Sequence, residues 1–365
     1  MYCRDPIKQI LIDTRDYWED DGTRPAVREN FIRMINCRTP ALGAEIFASA
    51  TEQKLVYHTC KSRACPSCGH RATLLWQREQ WASLPDTRYA GITLTMPDVL
   101  WSIFQGNRHL LHDLPALGAA VIQQWIRIKF GTSVLIMVIP HTFGARLNFN
   151  SHLHILASGG GMNGSGGGWT DRLYFARKKL MPMWRFAVIT FLREALKAGV
   201  LESRLNPADL KAILAREYRW WSIDVDYFQS KEHFLRYAGR YARRPPIAQH
   251  RIEAITDVAV RFSLKDKKLK KRVSAECSPV EFVAPLAEHV PDRYRHAVRY
   301  FGLLAPRSKY QTATAILLLL GQHKRPRPRR LGWAHSLRRT FGVDPLIDSH
   351  GQPMRWAGRL TPVVN

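Results

Sequence analysis

The chain has 365 residues, 45% of them apolar, which suits two or three domains with real cores. Its 55 Lys and Arg outnumber 30 Asp and Glu, giving a net charge of +25 that calls for a polyanionic partner, because each neutralised phosphate releases condensed counterions. The first ten residues hold charges and a proline but no apolar signal core, and the longest apolar run, Ala313–Leu320, is too short to span a bilayer.

A membrane or secreted protein is therefore not expected; a cytoplasmic, nucleoid-associated one is. Six cysteines, three of them within nine residues, speak for metal ligands in a reducing compartment rather than for disulfides. A basic structural protein of ribosomal type would carry similar charge. Eleven Trp and twelve Tyr argue against it, since aromatic faces are what single-stranded bases stack on.

In chain order, a helix is predicted around Ala26–Ile35 and another over Ala72–Trp81, with a cysteine cluster between them. The run Tyr89–Met96, closed by Pro97, reads as a strand, Leu114–Ile128 as a helix, and Ser133–Ile139 as a buried strand stopped by Pro140. A strand follows through Leu147–Ala157, then a glycine-rich loop, Ser158–Gly168, without the lysine pattern of a phosphate-binding loop. Helices are expected over Met183–Ala198 and from Pro207, capped by Asn206, and a strand over Trp220–Tyr227. Ser230 caps a helix running to about Arg243, which Pro245 and Pro246 would terminate. Strands near Arg251–Ile255 and Val258–Leu264 precede Ser278-Pro-Val-Glu281, a capping box. The tail beyond Ala305 is basic and proline-rich. Strands and helices interleave without a regular β-α-β rhythm, so the expected class is α+β with a mostly antiparallel sheet.

Three constellations carry chemistry. Cys60-x4-Cys65-x2-Cys68, in His58–His70 (HTCKSRACPSCGH), has knuckle spacing: the Cys-Pro-x-Cys turn presents two thiolates to a tetrahedral zinc. A fourth ligand is required, and Cys37, His58 and His70 are the candidates. Four protein ligands leave no open position, so this zinc is structural.

The second is His152-Leu153-His154. In a strand, residues two apart share a face, so both imidazoles could reach one ion. Two ordinary surface histidines would explain the pair equally well.

The third is Tyr237-Ala-Gly-Arg-Tyr241. On a helix these phenols lie on one face, about 5–6 Å apart at Cβ, and could serve as paired nucleophiles. The competing reading is an amphipathic helix that buries Phe234, Tyr237 and Tyr241. Arg236, Arg240, Arg243 and Arg244 around them favour a helix facing phosphate.

Taken together, these stretches resemble the zinc-containing, HUH-type rolling-circle transposases of the insertion-sequence-ninety-one group. The resemblance runs from about residue 30 to about 310 and rests on five landmarks in order: His58–Gly69, Ile92–Pro97 (ITLTMP), His141–Gly161, Tyr237–Arg244 (YAGRYARR) and His296–Leu304 (HAVRYFGLL). Two departures stand out. Ala48–Gln53 (ASATEQ) lies where a further cysteine pair is usual, and no cysteine follows Asp344-Pro-Leu.

The resemblance implies an RRM-like palm, the HUH nuclease domain, at residues 85–265, after a zinc-binding recognition module at 1–84. A helical extension at 266–310 and a basic region at 311–365 would follow. It implies that His152 and His154 hold a catalytic Mg²⁺ or Mn²⁺ with a third ligand, for which His141 is the candidate beside the alternative of an ordinary strand-end histidine. The ion would polarise the scissile phosphate of single-stranded or hairpin DNA. Tyr237 or Tyr241 would attack to give a 5′-phosphotyrosine link and a free 3′-hydroxyl, which drives transposition without ATP. A rolling-circle replication initiator shares the metal and tyrosines, and an eroded, zinc-dependent DNA-binding protein would keep only the knuckle.

Overall fold

The computed structural model describes residues 5–362 except 145, 165–166, 203–206, 216–220, 244, 266–270, 294, 308 and 324–331. Asn206, Trp220, Arg244 and the basic run from Lys324 lie outside the described residues. Helix α1 (Pro6–Asp13) starts where Asp5 accepts from the Ile7 and Lys8 amides, with Pro6 in the first turn. Helix α2 (Pro25–Ile35) and a hairpin of β1 (Ala44–Ala48) and β2 (Gln53–Tyr57) lead to α3 (Pro66–Ser83). Helix α3 begins at the proline of the cysteine knuckle, six residues earlier than Ala72, because Pro66 is preset for a first helical turn.

The central sheet follows: β3 (Tyr89–Leu94), α4 (Leu114–Phe130), β4 (Leu135–Phe143), β5 (Phe149–Ser158), α5 (Arg177–Lys197) and β6 (Ile223–Phe228). After it come α6 (Lys231–Ala238), a second sheet of β7 (Ile252–Ile255), β8 (Val260–Lys265) and β9 (Arg272–Cys277), and α7 (Pro279–Glu288). Both halves of the Ser278–Glu281 capping box are made. Strand β10 (Arg299–Gly302), α8 (Trp333–Phe341) and β11 (Arg355–Leu360) complete the elements used below.

The five-stranded sheet has the order β10-β4-β5-β3-β6, with every pairing antiparallel. The α+β class with an antiparallel sheet is therefore correct. Each β-α-β crossover straddles a strand of the other, the split β-α-β arrangement. Period-two alternation gives the sheet two buried faces. Ala90, Ile92, Leu94, Ile136, Val138, Leu153 and Ile155 join α4 and α5 in one core. The opposite set, Tyr89, Leu135, Met137, Ile139 and Leu156, packs against Trp76 of α3 and Phe234, Leu235 and Tyr237 of α6.

Strand β4 runs through Pro140 instead of stopping there. Its neighbour β10 covers only Leu135–Val138, so from Ile139 onward that side of β4 is an edge, where a missing N–H costs no ladder bond. The extension sets His141 directly across from His152. Helix α6, conversely, is shorter than expected and ends at Ala238 rather than near Arg243. The Arg240 and Tyr241 amides bond to Tyr237 and Ala238, three residues back, so the chain tightens at Gly239 before the prolines are reached.

Another core joins α1 and α2 to Cys37, Cys60, Cys65, Cys68, the β7–β9 sheet and α7. The tail also folds back: β11 pairs with β1 along Ala44–Ala48 and makes the hairpin a three-stranded sheet. No helix among the described residues is long and apolar enough to cross a membrane.

Candidate functional site

The buried thiols of Cys37, Cys60, Cys65 and Cys68 form one cluster. Cys37 supplies the fourth position from just beyond α2. His58 instead bonds Glu45 and the Leu42 carbonyl, and His70 is exposed, so neither joins the set. The sulfurs of Cys37 and Cys68 are 3.7 Å apart, of Cys60 and Cys68 3.6 Å, and of Cys37 and Cys65 3.9 Å. A tetrahedron with zinc–sulfur bonds of about 2.3 Å has edges of about 3.8 Å, so the donor set fits zinc. Hydrogen bonds with Cys37, Cys60 and Cys65 hold the Cys68 thiol down, while the bond with Cys37 is the leading cause that pushes Cys60 and Cys65 up. Only a bound cation lets all four ionise.

The second site lies on the sheet face that packs against α6. His141, His152 and His154 share that face, with ligand nitrogens all within 4.8 Å of one another. Their rings stand nearly perpendicular, at 74°, 82° and 88°, with centroids 4.9, 4.9 and 5.5 Å apart, so they converge rather than stack. Each imidazole is oriented through one nitrogen. His152 Nδ1 donates to the Asn150 carbonyl at 2.7 Å, His141 Nε2 to the Tyr241 carbonyl at 3.0 Å, and His154 Nδ1 lies 3.3 Å from Thr93 Oγ1. Such bonds fix the tautomer and aim the opposite nitrogen, as around metal-bound histidines.

The two tyrosines reach the same place. Tyr241 stacks on His154 with centroids 3.8 Å apart and planes at 26°, and its ring is 5.0 Å from that of Tyr237. Tyr237 is buried over Gly91, where a Cβ would lie 2.6 Å from its ring. Burial, and next the neighbouring Tyr241, push the Tyr237 phenol above its ordinary range. Arg240 sits 5.1 Å over the Tyr237 ring, Arg236 pairs with Glu232 at 2.9 Å, and Arg243 lines a cavity shared with His141 and Tyr241. Sequence alone singles out neither Gly91, which seats Tyr237, nor Thr93, which orients His154; their signal is the alternation within Tyr89–Leu94, where Thr93 pairs with His154 of β5.

His289, at the end of α7, braces the far end of β4. Its Nε2 donates to the Leu147 carbonyl at 2.6 Å and its Nδ1 lies 3.2 Å from Thr142 Oγ1. A helix C-terminus favours a protonated imidazole, but burial wins, with the charges of Arg108 and Arg24 assisting, and holds the group at about 4 instead of 6.5. The unfolded chain thus takes up a proton near 6.5 that the folded one refuses until about 4. Stability is complete above pH 6.5 and is expected to fall by about 3 kcal/mol as pH drops to 4. Denaturant titrations at stepped pH check this: His289→Gln should flatten the fall across that window, and an equally steep fall in the variant refutes the assignment.

Comparisons with known proteins fall on the same regions. A family model described as "Putative transposase" matches residues 135–312, and a "Transposase zinc-binding domain" model matches residues 10–96. "Transposase for insertion sequence element IS801" of Pseudomonas savastanoi pv. phaseolicola is 30% identical over 326 residues, covering 84% of this chain and 78% of its own length. "Putative transposase y4qJ" of Sinorhizobium fredii (strain NBRC 101917 / NGR234) is 28% identical over 305 residues, 78% of this chain and 76% of its own. No solved structure matches.

Proposed function

Because the chain belongs to the IS91 family of insertion-sequence transposases, we propose that it cuts and rejoins single-stranded DNA at the His141–His152–His154 and Tyr237–Tyr241 site. The observation that carries the reading is the stack of Tyr241 on His154, which puts a phenol beside three converging imidazoles. The strand order supports reading the central sheet as an RRM-like palm.

His141, His152 and His154 would hold one Mg²⁺ or Mn²⁺, which when bound supplies a Lewis acid for a phosphate oxygen. Imidazole donors suit Mn²⁺ better than the harder Mg²⁺. Thr93 and the Asn150 and Tyr241 carbonyls keep the imidazoles aimed, so little reorganisation is left for the reaction. The Tyr241 oxygen attacks the phosphorus of the cut bond, and the proton it gives up balances the one that the departing 3′-oxygen takes. The bond from phosphorus to the 3′-oxygen breaks, leaving a 5′-phosphotyrosine link and a 3′-hydroxyl. The link keeps the energy of the phosphodiester, so a 3′-hydroxyl on another strand reverses the step without ATP. Tyr237, whose ring lies 5.0 Å from that of Tyr241, would carry the second link of a strand-transfer cycle. Zinc at the four cysteines stays structural.

The test is to incubate labelled single-stranded element ends with protein and Mn²⁺ and run denaturing gels. A band shifted by the mass of the protein is expected. His154→Ala should remove it while single-strand affinity stays within about threefold, since most affinity comes from Lys and Arg. Normal cutting by His154→Ala would refute the metal assignment.

A further inference from the structure

The cavity that His141 and Tyr241 border is also lined by Arg63, Arg243 and Arg295. Arg63 comes from the cysteine knuckle, between Cys60 and Cys65, and its guanidinium donates to the Arg295 carbonyl, tying the knuckle to the chain before β10. Among the described residues no carboxylate pairs with any of the three. The one acid in the cavity wall, Asp292, is already engaged by Arg24 and Arg108. Arg63 is partly buried and shares the cavity wall with Arg243 and Arg295. A desolvated cation facing a second cation is costly until an anion arrives.

We propose that Arg63, Arg243 and Arg295 form a phosphate pocket that grips the single DNA strand immediately beside the bond that is cut. The proposal rests on the catalytic reading above and extends it, because it gives the zinc module a contact with the reacting strand. A guanidinium can hold a phosphodiester through two parallel bonds, and three donors around one cavity suit a backbone phosphate. Arg108, Arg299 and His112 also line the wall, between stretches of alanine, proline and leucine, so cationic donors surround the cavity on several sides. A grip on a backbone phosphate carries no base sequence of its own.

The test measures anisotropy of a fluorescent oligothymidylate against salt, with the full chain and no added divalent ion. Arg63→Gln is expected to weaken binding about tenfold at low salt and to lower the slope of log K against log salt by about 0.7, one single-strand phosphate contact. Arg63→Lys should keep the slope. Arg295→Gln removes a second lining cation and serves if Arg63→Gln does not fold. Arg261→Gln, which breaks a solvent-facing pair with Glu276, is the control and should change affinity by no more than about twofold. An unchanged slope in a folded Arg63→Gln or Arg295→Gln protein overturns the pocket. A wild-type protein that forms no adduct, with the slope still lost in the variants, keeps the pocket and overturns only the tyrosine chemistry.

Discussion

Tyr241→Phe is expected to abolish the covalent DNA adduct, a loss of at least about 10⁴-fold in cutting, while fold and single-strand affinity stay near wild type. The substitution removes one oxygen and keeps the ring that stacks on His154 at 3.8 Å. Tyr241 is half-buried, so losing its hydroxyl costs no more than about 1 kcal/mol of stability. Its carbonyl, which receives the His141 bond, belongs to the backbone and survives. Tyr237→Phe should behave differently. That ring fills the space over Gly91 and touches Phe228 with centroids 4.8 Å apart, and Phe preserves both contacts. The first cut on Tyr241 should persist in Tyr237→Phe, and only completed strand transfer should fall. Mass spectrometry of the trapped peptide decides: an adduct on Tyr241 in wild type and in Tyr237→Phe is the expected result, and a link to any other residue refutes the assignment.

How far the sequence foretold this site depends on the range over which each contact acts. The shared face of His152 and His154 follows from the strand period alone, and the Ser278 capping box from four consecutive residues; both are local. His141 was harder. Pro140 ends a strand by every local rule, and only the short partner β10 makes that edge tolerant of a proline. The Tyr237–Tyr241 spacing predicts one regular helix, whereas the chain tightens at Gly239, close against Gln77 of α3. Choosing Cys37 over His58 and His70 required knowing where α2 ends relative to the knuckle, a contact across 23 residues to Cys60. The basic tail gives no sign that Arg355–Leu360 pairs with Ala44–Ala48, because the partner lies some 300 residues away and β11 is mostly exposed. Local periodicity thus pairs His152 with His154 and Tyr237 with Tyr241, while the contacts that bring the two pairs together are non-local.

Cys68→Ser is expected to release one equivalent of zinc and to lower unfolding stability by more than about 4 kcal/mol, because formation of a structural zinc site is coupled to folding. The four thiols belong to a continuous core with Phe31, Met34, Phe262 and Phe282, so their loss exposes surface from α2, the β7–β9 sheet and α7 together. Elemental analysis and guanidinium titration check both halves. His58→Ala and His70→Ala, whose imidazoles lie outside the cluster, should keep the metal. A Cys68→Ser protein with full zinc and an unchanged midpoint would refute the cluster as a zinc site. Damage should also reach the chemistry. The knuckle opens α3, and along that helix Gln77 donates to the Leu235 carbonyl of α6 at 2.8 Å, while Gly69 packs against the Arg243 carbonyl just after Tyr241. The helix that starts at the thiolates is the brace behind the tyrosines. Adduct formation should therefore fall in Cys68→Ser even with Mn²⁺ in excess, whereas a variant that lost only a distant recognition module would still cut a short oligonucleotide.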